Sequence, residues 1–169
     1  YGSGAIGGVI NVVDNRIPQQ IPQQSDTILQ TRFGTAASDR SLSFAHDNGA
    51  EQFAWHLDGN VRKGNDYRVP LYQNDEGDSS KRLQNSWSEH QVLNIGSSYI
   101  AEQGFVGVSY GIIKTEYGLP EGPAAEEEEG EYIKLNQRRV ALAAEYRPLN
   151  SLWQSFTADI AFTDYDHAE

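Results

Sequence analysis

The chain has 169 residues, with 24 acidic and 13 basic side chains and a formal net charge of −11. This acidic balance argues against nucleic acid as a partner, because binding to phosphate requires clustered Lys and Arg. Cysteine is absent, which excludes disulfides, thiolate zinc sites and cysteine nucleophiles. No apolar run approaches the roughly 18 to 20 residues of a membrane-spanning helix, whereas the strands of a β-barrel show only alternate residues to lipid and are compatible with this composition.

The first part of the sequence predicts a strand followed by an extended connector. Glycines precede a β-branched run at Val9–Val13, as expected for a strand with close backbone contacts before it. The tandem Ile-Pro-Gln-Gln within Arg16–Gln24 excludes a helix or a central strand, since each proline lacks an N–H. We therefore predict a connector between two structural units.

From Ser25 onward the hydrophobic pattern changes to a period of two residues, which predicts β-strands. Seven strands are predicted, at Asp26–Ala36, Arg40–Asp47, Gln52–Arg62, Trp87–Ile100, Phe105–Tyr117, Tyr132–Tyr146 and Leu152–Asp164. Several span about 11 to 15 residues, against about 5 or 6 for a typical globular strand. Short turns such as Asp47–Glu51 alternate with long links at Lys63–Ser86 and Gly118–Glu131. This alternation is typical of a barrel with short turns at one end and long loops at the other.

The alternating pattern gives each strand two chemically different faces. In Tyr132–Tyr146, Val140 and Leu142 share one face and Arg139 belongs to the other. Such a division is expected for lipid outside and a wet lumen inside, but also for a soluble sandwich whose apolar face meets a second sheet. We predict an all-β fold, an antiparallel up-and-down meander, and the strand and link lengths favour part of a transmembrane β-barrel.

The sequence YGSGAIGGVINVV at Tyr1–Val13 resembles the motif that closes the plug domain of TonB-dependent outer-membrane receptors. The order that follows, a short Pro-containing connector and then long amphipathic strands, is the order of that family. Three shorter stretches are similar to its zinc-receptor branch: Val13–Pro18, Tyr117–Pro120 and Phe162–Glu169. The resemblance implies the C-terminal end of the plug at residues 1–15, a connector at 16–24 and about seven N-terminal barrel strands at 25–169. We accordingly expect this chain to be an internal piece of such a receptor.

The resemblance further implies active uptake of a metal ion or metal chelate, zinc or siderophore-iron, across the outer membrane of a Gram-negative bacterium. The implied partners are a TonB protein, acting on a receptor segment N-terminal to this chain, the outer-membrane lipid and the transported metal species. No cofactor is implied beyond that substrate metal. A passive or adhesive outer-membrane barrel and a soluble ligand-binding β-sandwich are the alternative functions.

Enzymatic activity is not expected from these residues. Gly2–Gly8 fits a dinucleotide-binding fingerprint only superficially, because that motif requires a helix after it and here a strand follows. No Ser-His-Asp spacing stands out for nucleophilic catalysis. We therefore predict a protein that is not an enzyme.

Two groups of side chains are candidate metal ligands. Asp164, Asp166 and His167 stand at the outer end of the last predicted strand. Strict alternation places His167 on the opposite face, so only a bend would reunite the three. The second group is the run of four carboxylates Glu126, Glu127, Glu128 and Glu129. It either collects cations or is a solvated charge run, and carboxylates without histidine suit Ca²⁺ or Mg²⁺ better than selective Zn²⁺ binding.

The other histidines are weaker candidates. His56 and His90 fall in predicted strands, with His56 on the lumen-facing side, where polar side chains are normal in barrels. His46 stands beside the Asp-Asn-Gly turn signal and is expected to be exposed.

Overall fold

The computed structural model describes residues 14–73, 79–120, 130–149 and 152–169. These residues form nine β-strands: β1 Asp26–Phe33, β2 Arg40–Ala50, β3 Phe53–Gly64, β4 Arg68–Gln73, β5 Ser79–Arg82, β6 Ser88–Ala101, β7 Gly104–Gly118, β8 Tyr132–Tyr146 and β9 Phe156–Ala168. In this part of the chain, no helix is long and apolar enough to cross a bilayer. The prediction of an all-β fold is confirmed.

Seven of the strands form one antiparallel sheet in the order β1-β2-β3-β6-β7-β8-β9. Each strand pairs with the next strand of the sheet along the chain, which confirms the predicted meander. The pairing is regular over long stretches: β6 and β7 pair from Ser88↔Tyr117 to Ala101↔Gly104 without a register shift. β1 and β9 are the two edges, so the sheet is open.

The predicted link at Lys63–Ser86 contains a second, two-stranded sheet, the hairpin β4–β5. Sequence reasoning missed it because its strands have only six and four residues, and because Pro70 interrupts the run of apolar side chains in β4. Hydrogen bonds hold its base: the Leu83 N–H donates to the Tyr67 carbonyl over 2.9 Å, and the Arg68 N–H to the Ala36 carbonyl over 2.7 Å. The link is thus an ordered hairpin that is hydrogen-bonded to the chain between β1 and β2.

The turn between β2 and β3 lies two residues beyond the predicted position. The Asp-Asn-Gly signal predicted a turn at Asp47–Glu51, but β2 continues to Ala50 and the chain reverses at Glu51 and Gln52. Gly49 has a different role there. A Cβ on Gly49 would lie 2.8 Å from the Phe53 carbonyl oxygen, 3.1 Å from Ile21 Cγ2 and 3.2 Å from Pro22 Cδ, so glycine makes room both for the start of β3 and for the connector.

The other strand bounds mostly agree with the sequence. β8 spans the predicted Tyr132–Tyr146, whereas β9 begins and ends four residues later than predicted, at Phe156 and Ala168. The turn before β7 is a two-residue reversal at Glu102 and Gln103, within the predicted short link. Strands β6 to β9 are 14, 15, 15 and 13 residues long, so their predicted unusual length is confirmed.

The seven-stranded sheet has a polar face and an apolar face, since successive side chains of a strand point to opposite sides. The polar face carries Asp47, His56, Asp58, Asn94, Ser98 and Ser109, and the apolar face carries Leu93, Ile95, Val108, Leu142, Ile160 and Phe162. On the polar face Ser98 is 2% exposed and His56 8%. On the apolar face Leu142 is 48% exposed and Ile95 53%. Water-soluble proteins show the reverse distribution.

The connector covers the polar face near the end with the short turns. Pro18 is less than 2% exposed. A Cβ on Gly96 in β6 would overlap the Arg16 carbonyl oxygen, and one on Gly107 in β7 would overlap Ile17 Cγ2. Glycines on three strands therefore let the connector lie directly on the backbone of the sheet.

Candidate functional site

A hydrogen-bonded network of polar side chains lies on the polar face beneath the connector. Asp47 of β2 and His56 of β3 are direct cross-strand partners, and so are Asp58 of β3 and Asn94 of β6. His56 and Asp58 stand two residues apart on one strand, which places both on the same face. The strand register alone therefore brings these four side chains together.

His56 lies between two carboxylates. Its Nδ1 is 2.9 Å from Asp47 Oδ1, and its Nε2 is 3.0 Å from Asp58 Oδ2. An imidazole that carries two N–H groups satisfies both contacts, whereas a neutral ring can donate to only one of them. The Asn94 side-chain amide donates to the second oxygen of Asp58 over 3.0 Å. The ring separates the two carboxylates, so the three side chains form a hydrogen-bonded cluster centred on the imidazole.

The connector joins the network through its first residues. The Asn15 amide donates to Asp47 Oδ1. Arg16 folds back on Asp14: its backbone N–H donates to Asp14 Oδ1 over 3.0 Å and its Nε to Oδ2 over 2.7 Å. Burial raises the pKa of the Asp14 carboxyl. The hydrogen bonds and charge of Arg16, together with the charge of His56, lower that pKa by more, so it lies below its ordinary value. Asp14 is thus held as a carboxylate at the edge of the polar face.

The structure separates the three candidate ligands on β9. Asp164 and Asp166 are partners of Arg138 and Asn136 and belong to the apolar face, whereas His167 is the partner of Leu135 on the polar face. β9 remains regular through Ala168, so no bend reunites the three. Among the described residues, the carboxylate that lies close to His167 Nε2 is that of Glu169, with an oxygen 3.9 Å away. Metal binding by Asp164, Asp166 and His167 stays a prediction from the sequence.

The four-glutamate run, Glu126–Glu129, lies outside the described residues. The described flanks of its loop are held together, because the Leu119 N–H donates to the Glu131 carbonyl over 2.9 Å. Asn85 crosslinks them from the neighbouring link, donating to the carbonyls of Leu119 and Glu131 over 2.8 and 2.6 Å. Within residues 14–73, 79–120, 130–149 and 152–169, no three His, Asp or Glu side chains are placed to hold a metal ion.

The structure agrees with the predicted face of His56 but not with the predicted exposure of His46. His56 is on the polar face, as predicted. His90 of β6 contacts the Thr115 hydroxyl, with Nδ1 and Oγ1 2.8 Å apart. His46 lies in β2, within the predicted strand Arg40–Asp47, but the prediction that it is exposed was wrong. It is half-buried, and its Nδ1 lies 2.9 Å from Thr27 Oγ1 on the neighbouring strand.

Sequence reasoning missed Asp47, Asn94 and Asn15 as members of the network. Asp47 was assigned to the boundary between a predicted strand and a turn, and Asn94 was one polar residue among many in a predicted strand. The signal that could have found them is cross-strand pairing, which needs the register between strands distant in sequence. No protein-family model matches this chain.

Proposed function

We propose that this chain is part of a TonB-dependent outer-membrane receptor that takes up a metal ion or metal chelate, either zinc or siderophore-iron. The observation that carries the proposal is the reversed exposure of the sheet: large apolar side chains face outward and polar side chains are buried under the connector. In water, a broad exposed apolar surface is unfavourable and marks a contact with protein or lipid. Bilayer hydrocarbon around the apolar face removes that cost.

Strand length and the position of aromatic side chains support a membrane environment. The 13 to 15 residues of β6 to β9 exceed the about 9 to 11 that a tilted strand needs to cross a bilayer. Aromatic rings lie on the apolar face at the short-turn end: Phe53 and Tyr99 are partners with ring centroids 5.4 Å apart, and Tyr146 pairs with Phe156. Outer-membrane barrels carry such aromatic girdles at the bilayer interface.

The position of the connector favours a barrel whose lumen contains a plug domain over a barrel with an open lumen. It lies on the polar face, the side that would line the lumen, and it follows Tyr1–Val13, which resembles the end of a plug domain. A passive or adhesive barrel offers no role for that opening sequence. In a soluble sandwich, the apolar face rather than the polar face would be the covered one.

The metal substrate rests on the resemblance to this receptor family, and uptake measurements test it. Cells lacking the full-length receptor should lose uptake of radioactive zinc or of a radioactive ferric siderophore, and the intact gene should restore it. Restored uptake should disappear on removal of TonB or on collapse of the proton gradient. Uptake independent of both would indicate a passive barrel. Recovery of the receptor outside the outer-membrane fraction would contradict the proposal altogether.

A further inference from the structure

His56 is buried where the connector crosses the polar face. The residue is 8% exposed, and among the described residues it is the one titratable residue that is buried. Its cross-strand partner on β6 is Gly96, and the Arg16 carbonyl oxygen occupies the space that a Cβ of Gly96 would need. The connector thus covers the row of the sheet that contains the imidazole, so protein groups rather than water must satisfy the ring nitrogens.

The number of protons on His56 decides how many of its contacts are favourable. Nδ1 faces Asp47 at 2.9 Å and Nε2 faces Asp58 at 3.0 Å. A ring with two N–H groups donates to both carboxylates, whereas a neutral ring turns a lone pair towards one of them. The neighbours on β6, Asn94 and Gly96, are uncharged. The charged groups that face the ring in the described part of the chain are Asp47 of β2, Asp58 of β3, and Asp14 and Arg16 of the connector.

The connector contacts the same carboxylate as the ring. The Asn15 amide donates to Asp47 Oδ1, the oxygen that also contacts His56 Nδ1. Beside it, Asp14 forms an ion pair with Arg16, and a positively charged His56 attracts the Asp14 carboxylate. A neutral ring removes that attraction and leaves the charge of the strand carboxylates less balanced beneath Asp14. Loss of one proton therefore weakens the contacts between the sheet and the start of the connector.

We propose that docking of the connector on the polar face is linked to protonation of His56, so that the connector is held firmly at low pH and loosens as the pH rises. Histidine is the side chain that ordinarily changes charge between about pH 5 and about pH 8. The docked arrangement needs the doubly protonated ring, so docking is strongest at the acidic end of this range and declines towards the alkaline end. The inference depends on the packing of the connector and not on uptake of a metal.

The consequence concerns the segment that the connector tethers. Residues 14–24 join residues 1–13 to β1, so a proton on His56 controls how firmly the opening segment is fixed to the sheet. The linkage makes the pH around the polar face, rather than a ligand, the signal that sets this tether.

The test follows the connector with a spin label in the purified full-length protein. This chain contains no cysteine, so Gln19→Cys supplies a labelling position on an exposed connector residue. Electron paramagnetic resonance spectra give the ratio of immobilised to mobile label, which reports docking. We expect this ratio to fall on the order of tenfold between about pH 5.5 and about pH 8, because a hydrogen bond to a charged group is lost.

Two histidine variants identify the group that responds. His56→Gln cannot gain or lose a proton in this range, so its ratio should not change with pH. The matched control, His90→Gln, removes a histidine from the same face that contacts only Thr115 among the described residues, and it should keep the response of the parent. A parent without a pH response, or a His56→Gln variant that responds as the parent does, would overturn the proposal.

Asp58→Asn keeps the proposal testable if His56→Gln detaches the connector at every pH. An asparagine amide donates to the Nε2 lone pair of a neutral ring, while that ring still donates to Asp47 from Nδ1. This variant should therefore keep the connector docked and lose most of the pH response. A parental response in Asp58→Asn would show that the contact between His56 and the two carboxylates is not the origin of the linkage.

Discussion

The two faces of the sheet share the same strands and the same backbone hydrogen bonds, yet they differ in what covers them. The polar face binds the connector and contains a network in which His56 contacts two carboxylates. The apolar face has no covering segment among the described residues and leaves Leu93 46% and Leu142 48% exposed. Backbone hydrogen bonds between strands are thus the same for both faces, whereas the side chains on each face determine what can pack against it.

Small side chains distinguish the covered face further. Gly96 lies beneath the backbone of Arg16 and Gly107 beneath the side chain of Ile17, and Ser98 beside them is nearly fully buried. Bulky residues at those positions would hold the connector away from the sheet. The polar face is therefore shaped to receive a chain segment.

The largest effect is expected from a charge on the apolar face. In the proposed membrane placement, Leu142→Arg in the full-length protein should reduce stability by about 2–4 kcal/mol, because a lipid-facing arginine near the midplane loses its hydration. Heat-modifiable electrophoresis and receptor abundance in the outer-membrane fraction measure the effect.

Leu142→Phe is the control that separates lipid from a packed core. Lipid accommodates the larger ring, so assembly should be unchanged, whereas a close-packed protein core would lose about 1–3 kcal/mol to overpacking. Normal assembly of Leu142→Arg, or failure of Leu142→Phe, would argue that the apolar face meets protein instead.

A smaller effect is expected where the connector touches the polar face. Gly96→Ala places a methyl group on the Arg16 carbonyl and should weaken connector docking by about 1–3 kcal/mol. Trypsin cleavage after Arg16 measures docking, since its rate follows the population of the detached connector. Gly64→Ala is the matched control, because its Cβ would stand 3.5 Å from the nearest atom, Ser88 Oγ. Equal cleavage rates in the two variants would refute the close contact.

The smallest of the three effects concerns the polar network. His56→Ala leaves Asp47 and Asp58 without their shared partner and should cost about 1 kcal/mol, because water reaches both partly exposed carboxylates and compensates in part. Faster trypsin cleavage after Arg16 is again the expected result. His90→Ala on the neighbouring strand removes only a contact with Thr115 and should leave cleavage unchanged. A stronger effect at His90 than at His56 would contradict the role of the network.

The sequence predicted the seven strands of the large sheet because a period of two residues is a local signal, although it missed β4 and β5. β8 begins and ends where predicted, and Val140 and Leu142 share a face opposite Arg139. The Asp-Asn-Gly signal did not mark the turn, because β2 continues to Ala50. Gly49 instead leaves space for the Phe53 carbonyl oxygen across the hairpin and for Ile21 and Pro22 of the distant connector.

The amino-acid pattern by itself determined an all-β meander, its long strands and the division of each strand into two faces, because alternation depends only on neighbouring residues. Only the tertiary structure decided which side chains meet across strands. It joined Asp47, His56 and Asn94, placed Asn15 over them, and assigned Asp164 and His167 to opposite faces. Strand register controls those encounters, and register depends on pairing and packing over the whole sheet rather than on any single segment.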